Sequence, residues 1–126
     1  MTLSLGNNFS VPCHGDLTPW ISQGVFLLNM CLTVQPGKPG SHKDIWMGFI
    51  EEIVKNINEI NPTCIYVLWG RKAERIMKCL NSKNHVLTAP HPSGFSANKG
   101  FIGCNHFVEI NNILMKEGKE PINWQI

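Results

Sequence analysis

Asn29 closes an unbroken apolar run, residues 25–28, and its side-chain amide carries both a donor and an acceptor. Such a group suits the edge of a nucleobase, which presents donors and acceptors in a fixed order. Asparagine is also a common turn and cap residue, so the position alone leaves both readings open. His91 stands between Pro90 and Pro92, which stiffen the loop around it. An imidazole N–H held there can donate to an oxygen on which negative charge develops. An ordinary loop histidine is the alternative, although rigid loops after strands often carry function. Ser93 and Ser96 bear hydroxyls of the kind that bind phosphate oxygens in DNA complexes, and serine is equally a turn residue. Phe95 lies between Gly94 and Ser96 with little else apolar nearby. It either wedges into a base stack or folds back onto the core. Arg71 directly follows Gly70 and is the basic residue best placed to face a ligand. A solvated helix face accounts for Lys72, Arg75 and Lys78.

Cleavage of a glycosidic bond often employs paired carboxylates, and none are visible. Asp16 and Asp44 read as turn or cap residues, while Glu51, Glu52 and Glu59 fall on an amphipathic helix. There is no G-x-S-x-G, no phosphate-binding P-loop and no G-x-G-x-x-G, which removes the commonest hydrolase and nucleotide-binding readings. The five cysteines form no C-x-x-C, and neither Cys13-His14 nor Cys104-x-His106 belongs to a four-ligand zinc pattern. They read as small buried hydrophobes in a reducing compartment, and no metal is expected.

Composition allows one globular domain: 126 residues, 43% hydrophobic and 16% charged, with a net charge of +2. Mild basicity is compatible with nucleic acid without arguing for it. No run approaches a membrane span and no signal peptide is visible at the start, so a soluble intracellular protein is expected.

The elements that must position these residues follow from period and punctuation. Asp16 can cap a short helix over residues 17–23, with Pro19 in its first turn and Gly24 after it. Residues 25–28 and 65–69 are continuous apolar runs, expected as strands buried on both faces; residues 85–89 make a third. Ser41 can cap a helix over residues 43–60, whose apolar positions Trp46, Phe49, Ile50, Ile53, Val54 and Ile57 share one face. Shorter helices are expected over residues 71–80 and 107–116. Strands alternating with helices predict an α/β fold, three layers α/β/α around a small parallel sheet. Ligands of such sheets bind beyond the carboxyl ends of the strands. Asn29, Gly70-Arg71 and His91 all follow strand ends, and that convergence points to a site.

These features also occur in the order of a known family. Gly24-Val25-Phe26-Leu27-Leu28-Asn29, continuing to Leu32-Thr33-Val34, resembles the family 1 uracil-DNA glycosylase segment G-V-L-L-L-N-x-x-L-T-V. His14-Gly15-Asp16-Leu17 with Trp20 and Gln23 is similar to H-G-x-L-x-x-W-x-x-Q, and Ser41-His42 to an S-H pair. Leu68-Trp69-Gly70 resembles L-W-G-S up to its last residue, and His91-Pro92-Ser93 opens the H-P-S-P-L-S loop. The run from Gly100 to Phe107 is similar to G-F-F-G-C-N-H-F, and Pro121-Ile122-Asn123-Trp124 to P-I-D-W. The resemblance covers about residues 12–126 and implies a single, N-terminally truncated domain of that family.

The resemblance implies removal of uracil from DNA by base flipping and hydrolysis of its N-glycosidic bond. It gives His91 the catalytic donor role, toward the uracil oxygen, and Asn29 the reading of the uracil edge. Gly70, Arg71, Ser93, Phe95 and Ser96 fall on DNA-contacting positions, Phe95 on that of an intercalating leucine. It implies no cofactor. It implies a monomer whose partner is uracil-containing DNA, single- or double-stranded, with no membrane. The expected location is the nucleus or mitochondrion of a eukaryote, or the host cell of a virus. Departures are several. No G-Q-D-P-Y-H segment, which in the family carries the water-positioning aspartate, occurs in the sequence, nor does the proline-rich DNA-pinching loop. Arg71, Gly94 and Phe95 replace serine, proline and leucine. The family's first strand, neighbour to the strand ending at Asn29, has no counterpart. Two readings follow: a uracil-DNA glycosylase, or a catalytically inactive remnant that binds DNA or a partner.

Overall fold

The computed structural model describes residues 9–94 and 96–126. They fall into two compact units: Leu28–His91, and the described residues up to Leu27 together with Pro92–Ile126. Phe95 lies outside the described residues.

In the unit Leu28–His91, an α-helix (Lys43–Ile60, called α2 here) precedes a parallel pair of strands, β1 (Ile65–Trp69) and β2 (His85–Ala89). Their register sets Ile65 opposite His85 and Trp69 opposite Ala89. The core sets part of the expected apolar face of α2 against one face of β1: Ile50, Val54, Tyr66 and Leu68 are buried, with Ile76 beside them, whereas Phe49 of that face is exposed. The connection is a right-sized crossover: a four-residue helix, α3 (Arg71–Glu74), tightens into a 3₁₀ turn (Arg75–Cys79) where a single helix was expected. The Tyr66 hydroxyl donates to Asn58 Oδ1 at 2.8 Å, and Asn58 Nδ2 donates to the Cys79 carbonyl at 3.1 Å. This chain of bonds ties β1, α2 and the 3₁₀ turn together inside a partly apolar setting, where each bond is worth more than on the surface.

Three expectations change. Residues 25–28 form no strand, and Phe26 and Leu27 are 64% and 49% exposed. An apolar run becomes a strand only if a neighbour completes its ladder, and no described residue does so. Nor is β1 buried on both faces: Tyr66 and Leu68 are buried, whereas Ile65, Val67 and Trp69 are half-buried. A two-stranded sheet has one face packed on α2 and less to cover the other. Finally, Ser41 does not cap α2. Its hydroxyl accepts from the Gln35 N–H at 2.7 Å, closing the Pro-Gly loop, and His42 takes the cap position without a side-chain bond.

The second unit is built on aromatic rings. Helix α1 (Thr18–Ile21) carries Trp20, and helix α4 (His106–Lys116) carries Phe107. Trp124 of the tail meets Trp20 edge-on at 5.4 Å and Phe107 at 4.8 Å between centroids. Both indole N–H groups are satisfied, Trp20 by the Trp124 carbonyl at 3.0 Å and Trp124 by the Phe107 carbonyl at 3.1 Å. Asn111 pins the tail twice, accepting from the Ile122 N–H at 2.8 Å and donating to its carbonyl at 2.9 Å. Asp16 does not cap α1 as expected: the helix is shorter than residues 17–23 and Leu17 takes its cap position without a side-chain bond. The Asp16 carboxylate instead closes the turn before it, accepting from the Thr18 N–H and hydroxyl at 2.9 and 2.6 Å. Those bonds hold its pKa below the usual carboxylate value. None of the five cysteines forms a disulfide; Cys13 is exposed rather than buried and the other four are half-buried. No helix among the described residues is long and apolar enough to cross a membrane.

Candidate functional site

The ladder between β1 and β2 runs one residue beyond β1. The Gly70 N–H donates to the Ala89 carbonyl at 2.8 Å, so the chain leaves both strands at the same end. Gly70 then turns with φ +88° and ψ 159°, a region open essentially to glycine, and starts α3, its carbonyl accepting from Ala73 at 3.0 Å. After Ala89, Pro90 and His91 follow the parallel course past the sheet edge. A Cβ built on Gly70 would stand 3.2 Å from His91 Cβ. The glycine thus serves two ends: it makes the turn, and it leaves the room that His91 occupies. His91 is exposed at the carboxyl ends of the strands, where open α/β sheets bind ligands.

Asn29 is positioned differently. Leu28 and Met30 both pack against the core of β1 and α2, so the intervening Asn29 is turned outward and exposed. Met30 and Cys31 then line a cavity of about 130 Å³ together with Met47 and four basic residues, Lys43, Arg71, Lys72 and Arg75. Arg71 is therefore the link within this unit. Its neighbour Gly70 abuts His91, and its own side chain shares a cavity with the residue that follows Asn29.

Of the residues singled out in the sequence, Asn29, Gly70, Arg71 and His91 thus lie in one unit. Ser93 and Ser96 lie in the other, where their hydroxyls approach to 3.3 Å. The Ser93 carbonyl accepts from the N–H groups of Ser96 and Ala97, both at 2.9 Å, so this pair does form a turn. The expectation for Phe95 falls outside the described residues. Sequence reasoning missed Lys43, Lys72 and Arg75. The i,i+4 spacing of Arg71 and Arg75 was a signal that they share a face; nothing in the sequence indicated that Lys43 would join them.

Comparison with known proteins adds independent findings. The family model for the Uracil DNA glycosylase superfamily matches residues 5–115. The uracil-DNA glycosylase of Pseudoalteromonas translucida (strain TAC 125) is 45% identical over 122 residues, covering 95% of this chain and 56% of that protein. That of Clostridioides difficile (strain 630) is 48% identical over 118 residues, covering 92% and 53%. Among solved structures, mimivirus uracil-DNA glycosylase is similar at a TM-score of 0.83 and 27% identity, over 92% of this chain and 49% of that one. A mimivirus UNG variant solved in complex with UGI gives a TM-score of 0.85 at the same identity. The chain spans about half the length of the curated relatives it matches.

Proposed function

This chain belongs to the Uracil DNA glycosylase superfamily, and from that premise we propose that it supplies the base-reading and leaving-group side of a uracil-DNA glycosylase. The reaction is hydrolysis: the bond from the sugar C1′ to uracil N1 breaks with its electron pair going to the base, water oxygen bonds to C1′, and the proton that the water gives up neutralises the uracil anion. Uracil must first be flipped out of the stack. His91 donates to the uracil oxygen as negative charge grows there, and Asn29 reads the base edge with its amide. The observation that carries this reading is the junction of Gly70 and His91 at the carboxyl ends of β1 and β2. It fixes the backbone of the donor against a rigid sheet, and preorganised donors supply the largest share of such catalysis. Gly70, Arg71, Ser93, Phe95 and Ser96 contact the DNA, the serines through phosphates. The family motifs run through both compact units, which supports reading residues 1–126 as a single domain. Its partner is uracil-containing DNA, single- or double-stranded, it acts as a monomer, and it works inside the cell where that DNA is.

A uracil-release assay on single-stranded DNA tests this, with His91→Ala as control. Release should depend on His91, since loss of one such donor costs ~100-fold or more. The rate of this chain should fall well below that of the longer relatives. The sequence carries no G-Q-D-P-Y-H segment to position water, and misplacement of a reactant alone costs about 100-fold. Absence of any His91-dependent release, with DNA binding retained, would replace the enzyme by the DNA-binding reading. Release at the relatives' full rate would mean that water activation comes from an unrecognised group of this chain.

A further inference from the structure

Four of the chain's eleven lysines and arginines converge on one cavity. Lys43 comes from the first turn of α2, Arg71 and Lys72 from α3, and Arg75 from the start of the 3₁₀ turn. No carboxylate lines the cavity, and none of the four forms an ion pair among the described residues. Asp44 and Glu74, adjacent in sequence, are not part of the lining. Lys78 shows the contrast: it is paired with Glu51 at 2.7 Å and lies outside the cavity.

Like charges gathered around an empty concavity repel one another, and an anion placed among them reverses that term. The volume, about 130 Å³, is ample, since one water needs only about 10–15 Å³. Two guanidinium forks and two ammonium groups suit a phosphate, the forks binding oxygens in pairs and the lysines acting as point charges. Met30 and Cys31 join the cavity to Asn29, and Arg71 joins it to Gly70 and His91.

We propose that this cavity is a phosphate-binding site, and that its occupant is a backbone phosphate of the DNA strand whose base is read by Asn29. The choice of DNA as the source rests on the glycosylase reading; the phosphate chemistry does not. Lys43, Lys72 and Arg75 thereby extend the DNA footprint beyond the positions that follow strand ends.

The test uses the whole chain and the double variant Lys72→Gln/Arg75→Gln, which leaves Arg71 in place. Inorganic phosphate should raise the unfolding midpoint of the chain more than that of the variant. Phosphate stabilises proteins generally by exclusion from their surfaces, so only the difference counts. In phosphate-free buffer the variant's midpoint should not fall, because two repelling cations have gone; a fall would overturn the claim that they are unpaired. Binding of uracil-free single-stranded DNA should lose about 0.7 from its log–log salt slope, the value for one phosphate contact. A reduced slope upholds the site. Equal phosphate effects with an unchanged slope overturn it, and a phosphate difference with an unchanged slope overturns DNA as the source. Loss of uracil release with both effects intact would remove the glycosylase reading and leave the phosphate site standing.

Discussion

Gly70 and His91 occupy each other's space: the Cβ that Gly70 lacks would lie 3.2 Å from the Cβ of His91. Both the contact and the φ of +88° penalise any side chain at position 70. Gly70→Ala should therefore destabilise the chain by about 1–3 kcal/mol and displace His91. Urea denaturation and the uracil-release assay check the two effects. A variant of unchanged stability and activity would show that the turn relaxes freely and that the contact does not position His91.

Asn29→Asp replaces an amide donor with a carboxylate acceptor on an exposed side chain between two core-packed neighbours. Folding should be little affected, because Leu28 and Met30 keep their packing. Discrimination between uracil and cytosine should relax, since cytosine presents an amino donor where uracil presents an acceptor. Release of both bases from matched oligonucleotides measures this; unchanged preference would remove Asn29 as the reader.

Tyr66 is the chain's single tyrosine, so its titration can be followed by tyrosinate absorbance without ambiguity. Burial, reinforced by the neighbouring Cys64, pushes its phenol up to about 12 from 10.0. Below pH 10 the phenol is protonated in both folded and unfolded chains, and its contribution is fully present. As pH rises from 10 through about 12 the unfolded state ionises first, so that contribution is lost, to the extent of ~3 kcal/mol. The expected result is tyrosinate appearing together with unfolding above pH 10. A reversible titration near 10 in the folded chain would contradict the burial of this hydroxyl beside Asn58.

Trp124→Ala removes a ring packed edge-on against Trp20 and Phe107 and the indole N–H that donates to the Phe107 carbonyl, while the backbone carbonyl that accepts from Trp20 remains. Truncating a buried tryptophan costs about 3–5 kcal/mol. The emission of the three remaining tryptophans should shift to the red relative to Trp124→Phe as the surroundings of Trp20 open to water, and thermal melting should show the loss. Trp124→Phe should retain part of the packing and lie between the two.

What could be read from the sequence was whatever depends on neighbours along the chain. The 3.6-residue period of residues 43–60 specifies an amphipathic helix, since side chains three and four apart share a face. The apolar runs ending in Trp69 and Ala89, each followed by glycine or proline, specify strands with exits at one end. From these came Gly70 and His91 as site residues, because parallel strands deliver their following loops to the same edge.

What only the tertiary structure decided was anything that needs a distant partner. The run at residues 25–28 carries the same apolar signal as β1, yet it stays irregular because a strand exists only where another strand completes its hydrogen bonds. The convergence of Lys43 with Arg71, Lys72 and Arg75 had no local signature either. Lys43 stands nearly thirty residues from the others in sequence, and its charge meets theirs only because α2 and α3 flank the same strand.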